Sequence, residues 1–364
     1  DRRPRRAHAL PLTLPLALAL ACREAPPPTA GAASRALFST PIHQQDAQLG
    51  RFEEFVVFAG HAGYRSRCPS GRVKIAVGSR WYVVDLAPLF PGGDGRLAAY
   101  CRMAMVKDYG QPTPAYADFA LALSGAFFGS DPTVRVGPDP FGLYLQSKPL
   151  VDARWESHFR RFLVGASAVA RPARLPFPPG GVPVRVEILD DVGLAPPARS
   201  IDLPASDGHG FADIRIAETL LCDRGDPTQG CAAEVTARQV MQRDAHLNVG
   251  TSHGSLGMLA RGVFDAVQSA PDPRGLVLTL PLGWVNEEMG GLRGDIFAGK
   301  ETPAAAAVHE ALQYARCHSA AVLAAAGNRG GATGSPRETD LIFPARWEAM
   351  RAPRAGECQT EFGV

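Results

Sequence analysis

The sequence predicts an α/β fold: a doubly wound, mainly parallel sheet with helices on both faces, preceded by an α+β region. Three observations carry that expectation. From about residue 184 onward, strand-like runs alternate with helix-like runs, the rhythm of a parallel sheet covered by crossover helices. The run from Ala321 to Gly331 is a buried apolar strand that stops at a Gly-Asn turn, as strands of an open sheet do at their ligand edge. The chain has 364 residues with 46% hydrophobic and 20% charged content, enough to bury a large core and to make two domains.

The opening segment, 1–22, starts with Arg2, Arg3, Arg5 and Arg6 and continues into the Leu- and Ala-rich stretch Ala9 to Ala21. A basic start, a short apolar centre and a small residue before the cleavage point read as an export signal. Ala19-Leu20-Ala21-Cys22 is also a loose bacterial lipoprotein processing site, so a membrane lipid anchor at Cys22 and plain secretion both stand open. Residues 23–35 are rich in Pro and Ala and read as a tether.

Residues 36–170 form a mixed α+β region, read equally as an accessory binding domain or a propeptide-like segment. Strand-like runs lie at Phe55 to Ala59, Val73 to Val77 and Trp81 to Leu86, and a helix is expected over Tyr116 to Phe127. No catalytic constellation occurs there. The Pro-rich passage Arg171 to Pro183 breaks the pattern and reads as a linker.

The second region, 182–364, then runs in order. Val184 to Leu189 is a β-rich run, Ile214, Ala217 and Leu221 have helical spacing, and Glu234 to Val240 is strand-like. Leu256, Leu259, Val263 and Val267 mark the next helix, followed by the apolar strand Leu276 to Leu280. Thr302 and Pro303 read as N-cap and first helical residue, with Val308, Leu312 and Ala315 on the inner face. The final residues, Glu361-Phe362-Gly363-Val364, carry no evident closing helix.

Charge narrows the partners. The net charge is +2 and no dense Lys/Arg run is interleaved with aromatics, so nucleic acid is not the implied partner. Setting Cys22 aside, the remaining cysteines are Cys68, Cys101, Cys222, Cys231, Cys317 and Cys358. The even count suits an oxidising compartment. Sequence does not choose the pairing, but adjacency suggests Cys68 with Cys101, Cys222 with Cys231, and Cys317 with Cys358. None has the spacing of a zinc or redox site, and no metal ligand set is expected.

The candidate chemistry sits at strand ends. Asp190 and Asp191 close the first strand of the second region, and Asp207-Gly208-His209-Gly210 opens the following helix. A carboxylate that meets this imidazole orients it and stabilises its charged form, making His209 a competent general base. Asn328, pushed out at the end of the Ala321 strand, is placed to donate a hydrogen bond to a bound group. Taken singly, Asn328 also reads as a turn residue, Asp190 as a turn or helix-capping residue, and His209 as a loop histidine. A nucleotide site would require a Gly-rich turn after the first strand, where the carboxylate pair and Pro196-Pro197 stand instead.

Four segments in order resemble subtilisin-like serine peptidases. Val186-Glu187-Ile188-Leu189-Asp190 resembles their aspartate strand, Gly208-His209-Gly210 their His-Gly motif, Leu278-Thr279-Leu280-Pro281-Leu282-Gly283 their substrate-binding strand, and Ala324-Ala325-Ala326-Gly327-Asn328 their oxyanion segment. Phe343-Pro344-Ala345-Arg346-Trp347 resembles the Tyr-Pro-Ala segment that follows. The resemblance spans about Val182 to Met350. It implies a subtilisin-like fold, serine endopeptidase activity and a peptide or protein substrate. It further implies that Asp190 orients the base, His209 takes the nucleophile's proton, and Asn328 stabilises the oxyanion. Leu280, Pro281, Leu282 and Gly283 would pair with extended substrate backbone. Calcium often stabilises this family, and no acidic loop here compels it.

The sequence departs from the pattern at several points. Asp191 and Val192 stand where the family prefers Ser or Thr and then Gly, and Phe211-Ala212 stands where Thr-His is usual. Pro281 replaces a common Ser and removes a backbone donor from the substrate strand. The nucleophile's Gly-Thr-Ser segment does not occur in Arg329 to Val364. Gly250-Thr251-Ser252 has those letters but precedes Asn328, and Ser252 reads as a helix cap. The expectation is an exported peptidase whose serine segment lies past the recorded end. The runner-up is a surface-tethered peptidase-like protein that binds peptides without cutting them.

Overall fold

A computed structural model describes residues 52–60, 68–106, 114–139, 141–145, 183–190, 209–222, 231–243, 252–284, 301–325, 343–349 and 351–364. The export segment, the tether and the 171–182 linker expected from sequence lie outside the described residues.

Strands β1 (Phe52–Phe58), β2 (Gly71–Val77), β3 (Arg80–Pro88), β4 (Tyr100–Val106) and β5 (Arg135–Pro138) form an antiparallel sheet in the order β2-β3-β4-β1-β5. Helix α1 (Tyr116–Phe127) connects β4 to β5, over the span its sequence predicts. Side chains alternate across a strand, and β1 is buried on both faces. Phe55 and Val57 join Tyr82, Val84, Met103, Phe119 and Leu123 in a core under α1. Val56 and Phe58 face the other way and join Tyr100, Leu89 and Phe90 in a different cluster.

Beyond residue 183 lies a four-stranded parallel sheet. Its strands are β7 (Arg185–Asp190), β8 (Glu234–Gln239), β11 (Leu276–Leu280) and β12 (Ala321–Ala324), in the order β12-β11-β7-β8. Helix α2 (His209–Leu221) runs between β7 and β8, α3 (Leu256–Ser269) leads into β11, and α4 (Pro303–Cys317) leads into β12. The mixed α/β class and the parallel sheet expected from the alternation are present. A third, antiparallel sheet joins β6 (Phe141–Leu145), β10 (Ser252–Ser255) and β9 (Gln242–Arg243) in the order β6-β10-β9.

The helix starts obey local rules. Thr302 accepts from the Ala305 N–H at 3.3 Å with Pro303 in the first turn, as the sequence predicts. The cap of α3 is Ser255, whose hydroxyl accepts from the Met258 N–H at 3.1 Å. The sequence reading assigned a cap to Ser252, which instead lies in β10. Gly262 explains how α3 lies on the sheet: a Cβ there would come within 2.3 Å of Val240 Cγ1.

One core unites both parts of the chain. Val56, Phe58, Phe90, Leu97 and Tyr100 pack in the same cluster as Leu259, Val263 and Phe264 of α3, Ala304 to Ala307, Val308 and Ala311 of α4, and Leu189, Leu278 and Leu280 of the parallel sheet. Four consecutive buried alanines make α4 narrow enough to lie between α3 and the antiparallel sheet. Arg96 adds a polar tie, reaching Glu310 and Glu361 at 3.0 Å each.

The end of the chain differs from the sequence reading. A closing helix, α5 (Ala355–Phe362), is present and terminates at Gly363 with φ 73°, the left-handed residue that commonly ends a helix. Its first turn is held by Glu357, which accepts from the Arg354 N–H at 2.7 Å. All three disulfides suggested by adjacency form: Cys68–Cys101, Cys222–Cys231 and Cys317–Cys358. These bonds fit an extracellular protein. Among the described residues, no helix is long and apolar enough to cross a membrane.

Candidate functional site

The carboxyl-terminal ends of β7, β11 and β12 lie side by side at one edge of the parallel sheet. Register fixes their level: Thr279 pairs with Ile188, and Leu280 pairs with Ala324. Each of the three strand segments picked out in the sequence therefore ends at the same rim, where ligands of open α/β sheets bind.

Asp190 is the last residue of β7 and is 0% exposed. Its carbonyl accepts from the Val240 N–H at 2.9 Å, carrying the ladder one step past β8. His209 is the first residue of α2, and α2 packs on both β7 and β8. The backbone thus carries the chain from the aspartate's strand end into a helix that starts with the histidine; the His209 side chain lies outside the described set. Asp191 and Asn328 also lie outside the described residues. The β12 segment is described as far as Ala325, whose N–H donates to the Leu280 carbonyl at 2.9 Å.

The segment after β11 is anchored by its apolar side chains. Leu280 and Leu282 are buried in the main core, while Pro281 and Gly283 are half-buried. Trp284 exchanges both backbone hydrogen bonds with Phe343, at 3.0 and 2.9 Å. Its ring stacks on Phe343 at 5.9 Å and meets Trp347 edge-on at 5.5 Å. His309 of α4 meets the same Trp347 at 5.1 Å. Phe343 and Trp347, picked out in the sequence as part of the Tyr-Pro-Ala-like segment, therefore brace the exit of the candidate substrate strand. Between Leu280 and Trp284, only Pro281 and Gly283 keep partial exposure.

Charge beneath the rim is balanced by a ladder across β7 and β8. Glu187, 1% exposed, accepts a hydrogen bond from Arg238 at 2.5 Å and forms an ion pair with Arg185 at 3.2 Å. Arg238 also donates to the Ser269 hydroxyl at 2.9 Å. Among the described residues, no group of three or more His, Cys, Asp or Glu side chains could hold a metal ion.

Two features at the start of α3 went unread in the sequence. Strand β10, directly before α3, is paired by the chain's own β6, with Ser252 opposite Leu145 and His253 opposite Tyr144. Its four residues, Ser-His-Gly-Ser, give no apolar alternation, so nothing local announces a strand. The other is Asp139, which is 7% exposed and accepts from the Ser255 hydroxyl and the Gly257 N–H at 2.8 Å each. A lone Asp between two prolines reads as a turn residue, and only the fold brings it to the start of α3.

The chain matches no protein-family model, no curated protein and no solved structure.

Proposed function

We propose that this chain is an exported serine endopeptidase of subtilisin-like type, with Asp190 orienting His209 and the Asn328 amide holding the oxyanion. One observation carries the reading: the aspartate strand, the substrate strand and the oxyanion strand are parallel neighbours whose carboxyl ends share one rim. Strand order supports the doubly wound architecture as well. The crossover from β7 through α2 to β8 runs one way along the sheet, and those through α3 and α4 run the other way. Right-handed crossovers then put α2 on one face and α3 with α4 on the opposite face.

In the mechanism, the buried Asp190 carboxylate would accept from the imidazole and stabilise its protonated form. His209 would take the proton of a serine nucleophile, and the Asn328 amide would donate to the tetrahedral oxygen. An oxyanion donor of this kind is worth about 3 kcal/mol, a figure the general rule itself takes from a subtilisin. The backbone from Pro281 to Gly283 would hold extended peptide. Residues 36–170 fit a propeptide-like role: one face of their sheet shares the core of α3 and α4, and β6 covers the β10 edge. Export fits the three disulfides, with Cys22 as the lipid-anchor candidate.

The reading requires a serine nucleophile, and no Gly-Thr-Ser segment occurs between Arg329 and Val364. The test uses the full product of the natural gene and a fluorophosphonate probe. Covalent labelling that disappears in His209→Ala is the expected result. Absence of labelling, with extended peptides still bound, would favour the non-catalytic peptide-binding reading. Absence of both defeats the assignment of this rim as a peptide site.

A further inference from the structure

We propose that the outer face of the β2–β3 hairpin is a binding platform for an acidic polysaccharide, with Trp81 stacking on a sugar ring and Lys74 meeting a sugar carboxylate. The inference does not rest on hydrolytic activity.

The hairpin has two unlike faces. Side chains alternate across each strand. Ile75, Tyr82, Val84 and Leu86 point into the core under α1, so Arg72, Lys74, Ala76, Trp81, Val83 and Asp85 line the opposite face. Helix α4 packs on β1 and β5, at one side of the sheet, while β2 and β3 lie at the other. Arg72, Lys74, Ala76 and Trp81 are exposed in consequence, and Val83 and Asp85 are half-buried.

Trp81 stands out on this surface. Tryptophan is highly buried on average, yet Trp81 is 64% exposed, whereas Trp284 and Trp347 are 3% and 7% exposed. Register explains why the ring stays open. Ala76 stands directly opposite, and a methyl group is too short to cover an indole across a strand pair. One rung along, about 7 Å away, Lys74 stands opposite Val83. On the next rung Arg72 clamps Asp85 through two hydrogen bonds, at 2.8 and 2.9 Å.

The ligand class follows from these groups. A pyranose ring has a face of C–H groups that stacks on an aromatic ring, and rim hydroxyls that need donors and acceptors. Trp81, with Ala76 and Val83 beside it, supplies the apolar part of such a surface, and Lys74, Arg72 and Asp85 supply the polar part. Charge sets the kind of sugar. From Gly71 to Pro88 the chain carries Arg72, Lys74 and Arg80 against Asp85 alone, and Asp85 is already held by Arg72. The face therefore has cationic excess, complementary to a carboxylate-bearing glycan. A lipid surface would take an apolar hairpin tip, whereas the turn here is Gly78-Ser79. The three disulfides fit an extracellular protein, a setting where acidic polysaccharides are encountered.

The experiment runs the full chain through native gels containing polygalacturonate, with matching gels containing a neutral glucan or polyglutamate. Wild type should be retarded by polygalacturonate. Trp81→Ala should weaken that affinity by about tenfold, and Trp81→Tyr should restore most of it. Lys74→Ala and added salt should each weaken it severalfold. Should Trp81→Ala lose its near-UV circular dichroism, wild type decides, because bound polygalacturonate must shield the exposed indole from iodide quenching. Unretarded wild type, unchanged affinity in a folded Trp81→Ala, or unshielded quenching would overturn the platform. Equal retardation by polyglutamate would reduce it to charge alone, and equal retardation by the neutral glucan would remove the role of Lys74; either result rejects the proposal. Binding to phosphatidylglycerol vesicles in place of polygalacturonate would reject it in favour of a membrane contact.

Discussion

Glu187 shows how a single charged residue can sit inside a parallel sheet. Its carboxylate is almost wholly buried, and two arginines on β7 and β8 hold it. Removing one partner of a buried pair leaves a charge without full compensation and costs about 3–5 kcal/mol when both members are inaccessible. Arg238 keeps some solvent contact, with 27% of its side chain exposed, and Arg185 would remain. Arg238→Ala is therefore expected to lower stability by about 2 kcal/mol, below that range. Equilibrium denaturation by urea measures it. A change under a few tenths of a kcal/mol would mean that Arg185 alone neutralises Glu187. This ladder was not evident from sequence, because Arg-Val-Glu-Ile reads as an ordinary half-buried strand and the Arg238 partner is 51 positions away.

At the scale of elements, legibility followed the strength of local signals. Helix α1 matches its expected bounds, and Thr302-Pro303 starts α4 as capping chemistry requires. Strand β4 went unread because Cys-Arg-Met-Ala-Met contains few β-formers and is buried on both faces, which erases alternation. Helix α5 went unread because only Cys358 and Phe362 are buried on it, too few for a periodic signal. Of the candidate site, the sequence shows where two residues stand in the backbone: Asp190 at a strand end and His209 at a helix start. The contacts around Asp139 required a pairing of remote segments that no local pattern encodes. One disulfide, Cys317–Cys358, fixes α5 where propensity does not. Cys317–Cys358 spans 41 positions and Cys222–Cys231 spans 9, so loop-closure entropy makes the first worth about 4 kcal/mol and the second about 3 kcal/mol. Replacing each pair by serine and comparing urea midpoints should reproduce that order. The reverse order would show that unfolded-state structure outweighs loop length.

For the whole molecule, the decisive fact is that the two sequence regions share one interior. Val56, Phe58 and Phe90 come from the first region, whereas Val263, Phe264 and Val308 come from the second, and all lie in a single cluster. Separating the regions would expose the apolar flank of α3 and α4 to water. Each large apolar side chain so exposed forfeits about 1.5–3 kcal/mol, and a few of them equal the roughly 5–15 kcal/mol net stability of a typical domain. A polypeptide starting at Val182 is therefore expected to remain unfolded or molten when made alone, binding a hydrophobic dye and lacking near-UV circular dichroism. Adding residues 36–170 as a separate chain should restore the near-UV signal, because the lost partner surface is supplied without a covalent link. Recovery would identify the first region as a folding partner for the helices that feed β11 and β12, and hence for the rim where Asp190 and Leu280 end. A fully folded 182–364 fragment would instead make the shared cluster a docking surface between independently stable units, and the propeptide-like role would lose its physical basis.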